Sequence, residues 1–218
     1  MATSRKSTRV DTKRSRTQEE PDCTPPRRRN AAETRQAILD SARAAFTRAG
    51  YDGVGVREIA TGAGVTAMLV NRYFGSKESL FAEVVDVTLS RPGILTREIT
   101  TMGHDVAALA RHISAALVDA TSPTGTPLDG FLIMLRSASS PQAAAILRDK
   151  FEAHFEHRLV PALPGDAARE RASLMLALIA GLQLMRQVIA MPSLTGADPC
   201  TLEKQVEALF RLLIIPNV

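Results

Sequence analysis

Val56-Arg-Glu-Ile-Ala-Thr-Gly-Ala-Gly-Val-Thr-Ala-Met-Leu-Val-Asn-Arg-Tyr-Phe74 reads as two short helices joined by a tight turn. Gly64 supplies the turn, because glycine reaches positive φ without a steric cost. Thr66 then caps the next helix, its hydroxyl accepting from a free N–H of the first turn. The helices are expected over Val56 to Ala63 and about Ala67 to Tyr73. Small residues where they cross (Ala60, Ala63, Gly64) and apolar anchors (Ile59, Val65, Val70) complete the pattern of a helix-turn-helix, whose second helix enters a major groove.

Upstream, Ala31, Ile38, Ala42, Ala45 and Phe46 share one face and Gly50 stops the chain, predicting a helix over 31–49. Downstream, Gly75-Ser76 opens a helix over about Ser76 to Ser90, ended by Arg91-Pro92-Gly93. After Pro92, Pro and Gly punctuation separates Ala/Leu/Ile/Met-rich helices expected near 94–101, 105–121, 127–139, 141–160, 166–190 and 199–214. No stretch alternates as a strand does. The expected fold class is all-α: a basic, disordered tail over 1–30, a three-helix helix-turn-helix domain over 31–85, and a larger helical domain over 86–218.

A chain of 218 residues, 45% hydrophobic and 23% charged, is globular in composition and long enough for a sizeable core. Its most apolar run, Leu174 to Ala190, is broken by Gln183, Arg186 and Gln187, so no membrane span is expected. The first thirty residues lack the apolar core of a secretory signal, which predicts a cytoplasmic protein. Cys23 and Cys200 build no disulfide framework and no metal spacing. Of the formal charge of +4, the tail alone holds nine Lys/Arg against four Asp/Glu, an excess of five, while residues 31–85 balance and 86–218 fall one short. A basic arm of this kind binds phosphates without sequence preference and loses affinity with salt, although it equally suits a solubilising extension.

The stretches Thr34–Phe46, Ala49–Gly53, Val56–Ala60, Ala63–Thr66 and Arg72–Phe81, in this order and spacing, closely resemble the DNA-binding domain of the TetR family over about residues 33–83. The resemblance implies a homodimeric transcriptional regulator, usually a repressor, that sits on double-stranded DNA at an inverted-repeat operator. A small molecule bound in the C-terminal domain would move the paired reading heads. Carried onto this chain, it implies that Thr66, Tyr73 and Lys77 touch the DNA backbone, contacts that fix register without reading sequence. Arg57, at the start of its helix, is a plausible phosphate clamp. Ala67, Met68, Asn71 and Arg72 lie on the reading helix, where Asn suits adenine, Arg suits guanine, and Ala or Met suits a thymine methyl. Two positions depart from the family: Asn71 stands where tyrosine is common, and Val54-Gly55 replaces the Ser/Thr that usually leads into the second helix. A transcriptional activator or a non-specific nucleoid binder of the same fold remains the alternative.

Leu174, Leu178, Gly181, Leu182, Met185 and Ile189 recur on one helical face. Leu202, Val206, Leu209, Phe210 and Leu213 recur on the next. Both stripes suit a four-helix dimer seam, and both also suit packing inward on their own subunit; Ala177 and Gly181, which allow close approach, favour the seam. A ligand pocket is expected among 94–160 and the start of 166–190. Its candidate lining is Met102, Leu109, Phe131, Met134, Leu135, Phe151 and Phe155, with His112 as a polar or packing residue. Such walls suit an apolar or amphipathic ligand. His154 and His157 lie three residues apart, but no third ligand stands at a compatible spacing, so neither a metal nor a cofactor is expected. Neither a nucleophile-elbow pattern, a phosphate-cradling loop nor His-Glu-x-x-His occurs, and Gly62-x-Gly64 follows a helix rather than a strand, so no enzyme is expected.

Overall fold

The computed structural model describes residues 31–91, 93–95, 105–122 and 129–215. The tail, Met102, His104 and most of the helix expected over 94–101 lie outside these residues. Within them every regular element is helical: α1 (Ala31–Ala49), α2 (Val56–Ala63), α3 (Ala67–Phe74), α4 (Lys77–Leu89), α5 (Val106–Ala120), α6 (Asp129–Ser137) and α7 (Pro141–Phe151), then α8 (His157–Leu159), α9 (Ala168–Gln183), α10 (Pro192–Thr195) and α11 (Pro199–Ile214).

Capping chemistry sets most of the boundaries. Gly64 is left-handed (φ 66°), the Val65 N–H reaches the Ala60 carbonyl and the Gly64 N–H reaches that of Thr61, a Schellman closure of α2. Thr66, Ser76, Asp105 and Asp198 each accept from a backbone N–H three residues on, starting α3, α4, α5 and α11. The uninterrupted helices expected over 141–160 and 166–190 are each broken by one π-helical segment, Glu152–Glu156 and Leu184–Val188, and α10 occupies a stretch read as a break.

Two cores result. In the first, Ile38, Phe46, Ile59, Val70, Leu80 and Phe81 from α1–α4 close over one another, joined by Ile133 from α6 and by Ala143 and Leu147 from α7. The second gathers α5, α8, α9 and α11 around Leu109, Ile113, Leu117, Leu159, Met175 and Phe210. Residues expected in a separate C-terminal domain thus complete the core beneath the helix-turn-helix. Gly50 sits against the Arg136 backbone, the Tyr51 N–H donates to Ser137 Oγ at 3.0 Å, and Ser140 Oγ donates to Asp52 at 3.1 Å.

Candidate nucleic-acid interface and cavity

α2 crosses α1 closely at Gly62, where a Cβ would run into Ser41, whose hydroxyl donates to the Ile59 carbonyl at 2.8 Å. This fixes α2, and the turn at Gly64 aims α3 outward. Thr66 uses a lone pair on the Leu69 N–H at 3.3 Å, which leaves its O–H to donate. Arg57, Thr66, Asn71 and Arg72 are exposed, Ala67, Tyr73 and Lys77 are half-buried, and Phe74 lies in the core as expected. Met68 is 80% exposed.

The charge around this face is sorted. α3 contains no acidic residue. Glu58 is ion-paired with Arg48 and Glu83 with Arg35, whose guanidinium also lies over the Phe74 ring. Among the described residues no carboxylate pairs with Arg57 or Arg72, so both present uncompensated positive charge. Lys77 Nζ lies 4.1 Å above the Tyr51 ring, while the Tyr51 hydroxyl donates to Glu78 at 2.8 Å. Burial, then the Glu78 hydrogen bond, pushes that phenol up to about 12. In the sequence Tyr51 is legible only as part of the Ala49–Gly53 stretch, since a ring that seats a lysine 26 positions on has no local signature.

A cavity of about 770 Å³ opens between the end of α4, α6, α7 and α9. Of the expected lining residues, Phe131, Met134, Phe151 and Phe155 are on its wall, the last two stacked at 5.3 Å. Leu109, His112 and Leu135 do not reach it. α5 turns Leu109 into the second core, and Leu135 faces solvent on the flank of α6. The wall includes residues that sequence reasoning missed, notably Leu89, Ile94, Leu95, Ile179 and Gln183.

Beside the cavity, Asp86 on α4 accepts from Lys150 Nζ and pairs with His154 Nε2, both at 2.9 Å. His154 is thereby engaged with a carboxylate rather than with His157. These two hydrogen bonds, His154 first, hold the Asp86 carboxyl below its ordinary range. A carboxylate with a lowered native pKa adds stability that is full above the unfolded value and is lost as pH falls through the native one. Asp86→Asn is therefore expected to melt lower at pH 7 and to show a shallower loss of stability between neutral and acid pH; equal pH slopes for variant and parent would contradict the assignment.

The stripes on α9 and α11 divide. Leu182, Leu202, Val206 and Phe210 are buried in the second core of their own chain. Leu174, Ile189 and Leu209 point outward, with Leu178, Gly181 and Met185 half-buried between, and Leu212 and Ile215 extend the exposed side of α11. Among the described residues no helix is long and apolar enough to cross a membrane, and no three potential metal ligands cluster.

An all-helical chain with a capped helix-turn-helix at one end and a helical body enclosing a cavity at the other has the architecture of a two-part regulator. Comparison with known proteins agrees. Residues 38–84 match the family model for bacterial regulatory proteins of the tetR family, and residues 107–214 match that for the tetracyclin repressor-like C-terminal domain. The chain belongs to the TetR family of transcription regulators. It is 38% identical to the HTH-type transcriptional regulator AcrR of Shigella flexneri over 71 residues, 33% of each protein, so the match spans a third of that relative's length. Its fold is shared with a TetR-family regulator of Streptomyces coelicolor (TM-score 0.52, 23% identity, 87% of this chain and 99% of the other). It is shared too with NalD of Pseudomonas aeruginosa, the secondary repressor of the MexAB-OprM multidrug efflux pump (TM-score 0.57, 21% identity, 87% and 100%).

Proposed function

We propose that the chain is a cytoplasmic, homodimeric, sequence-specific DNA-binding regulator without enzymatic activity, and that it represses from an inverted-repeat operator until a small apolar or amphipathic molecule fills the cavity. The observation that carries the DNA reading is α3: capped, acid-free, and exposing Met68, Asn71 and Arg72 beside unpaired Arg57. In this reading residues 31–85 form the reading head, 86–218 the body, and the tail over 1–30 adds phosphate affinity without specificity. Thr66, Tyr73, Lys77 and Arg57 hold the backbone, with Ala67 close against the groove.

Dimerisation uses the outward side of α9 and α11. Leu174, Leu178, Gly181, Met185, Ile189 and Leu209 line it, because so much contiguous apolar surface is costly to leave in water. The repressor reading is supported by the fold shared with NalD. Release works through α4, which carries Thr88 and Leu89 on the cavity wall at one end and follows α3 at the other. A ligand that prefers one setting of α4 shifts the population toward it, and operator occupancy falls by mass action.

The test is selection of bound fragments from sheared genomic DNA, with full-length and tail-less protein in parallel. Enrichment of a few inverted repeats by both is expected, and no enrichment would leave a non-specific binder. On an enriched site, Asn71→Ala and Arg72→Ala are each expected to cost about 1–3 kcal/mol of base discrimination while binding to random DNA changes little. Unchanged preference in both variants would move the readout elsewhere.

A further inference from the structure

The cavity's wall holds a buried side-chain N–H that finds no acceptor. Most residues on its wall are apolar, and the exposed ones, including Arg148, Glu152 and Ala177, mark its mouth. Gln183 is different: it lies on the wall, is only 4% exposed, and its Nε2 has no hydrogen-bond partner. Buried polar groups are almost always paired, so an orphaned amide N–H on a cavity wall marks the place of an absent acceptor.

Which acceptor fits follows from the charges nearby. Of the three acids that the described wall carries, two are neutralised: Asp129 by Arg43 at 3.2 Å, and Glu156 by Arg169 at 3.5 Å. The third, Glu152, is exposed at the mouth. Among the described residues the buried wall around Gln183, including Ile94, Leu95, Phe131 and Ile179, carries no acid to receive a cation. Three residues beyond Gln183, in the π-helical segment that continues α9, is Arg186, 3% exposed, whose guanidinium donates among the described residues to neutral oxygens only, the Val118 carbonyl at 2.8 Å and Thr121 Oγ1 at 2.7 Å. Its Nε is unpartnered, and no carboxylate among the described residues faces it. A buried positive charge without a counter-ion is costly, and in this setting it favours an anion nearby.

We propose that the cavity takes an amphipathic carboxylate, carboxylate end first, with Gln183 Nε2 donating to the carboxylate, Arg186 supplying the field that favours its charge, and the apolar body lying against Phe131, Phe151 and Phe155. This rests on the reading of the cavity as the effector site and specifies what that site selects. Gln183 is its specificity-determining residue.

The test measures binding to the full chain by calorimetry without DNA, using dodecanoate, methyl dodecanoate and dodecylamine as probes of one apolar length. Dodecanoate is expected to bind tightest and dodecylamine weakest. Gln183→Leu should weaken dodecanoate roughly tenfold or more, as for loss of a hydrogen bond to a charged group, and leave the amine unchanged. Gln183→Glu, nearly isosteric, should reverse the order of acid and amine, and it keeps the proposal testable if the leucine variant fails to fold. Equal binding of ester and acid would overturn the charge selection, and an unreversed order in Gln183→Glu would overturn the assignment of Gln183. A chain that takes dodecanoate but enriches no DNA refutes the regulator reading and leaves this one standing. A chain that enriches operators but takes no carboxylate does the opposite.

Discussion

Replacing Phe81 by alanine is expected to destabilise the protein by about 3–5 kcal/mol, the usual cost of emptying a buried aromatic site. Phe81 is fully buried on α4 and packs edge-on against Phe46 and Tyr51, each with ring centroids 5.0 Å away. Its neighbours hold the cavity open. Phe46 belongs to α1, and Tyr51 is pinned by its own N–H to Ser137 and by its hydroxyl to Glu78, so neither can move in to fill the gap. For a chain of this size the loss should lower the melting temperature by roughly 6–20 °C, read by far-ultraviolet circular dichroism. Phe81→Leu, which refills most of the volume, should recover the greater part. A shift under about 3 °C for the alanine variant would mean that the aromatic trio does not carry the first core. Because α3 rests on this core through Val70 and Phe74, base preference should weaken along with stability.

The part of the fold legible in the sequence is the part determined locally. Gly64 and Thr66 act on residues no more than four positions away, so the turn and the start of α3 could be read from them directly. The same holds for Ser76, although it caps α4 from outside rather than belonging to it. Partners brought together by distant chain segments left no such trace. Ile133 and Leu147 have the same helical spacing whether they face a ligand, their own domain or the reading head, and only packing shows that they close the first core. Likewise Leu202, Val206 and Phe210 form a stripe that a partner subunit or α5 could equally bury. Four pocket residues were recognisable as aromatic or Met positions on α6, α7 and its π-helical extension. Gln183, the residue on which ligand choice turns, shows in the sequence only as an interruption in an apolar run, because a polar side chain's lack of a partner is a property of its surroundings.

The second large effect is expected at Gly50, where the end of α1 meets α6. Its φ of +69° is costly for any residue with a Cβ, about 1–2 kcal/mol, and it ends α1 with its N–H on the Phe46 carbonyl. A Cβ there would also drive into the Arg136 carbonyl at the end of α6, backbone that cannot swing aside like a flexible side chain. Overpacking of this kind adds roughly 1–3 kcal/mol. Gly50→Ala is therefore expected to cost about 2–5 kcal/mol, with Gly55→Ala as the control, since no atom lies within 4 Å of a Cβ built at Gly55. The strain can be relieved only by separating α1 from α6. That separation stretches three links at once: Arg136 to the Thr47 carbonyl, Tyr51 N–H to Ser137 and Ser140 to Asp52. Because those links join the helix-turn-helix to the helices that wall the cavity, the variant should lose coupling as well as stability. Dodecanoate should still bind it, yet change its operator affinity less than it changes that of the parent. Equal coupling in parent and variant, measured at a temperature where both are folded, would route the signal through α4 alone.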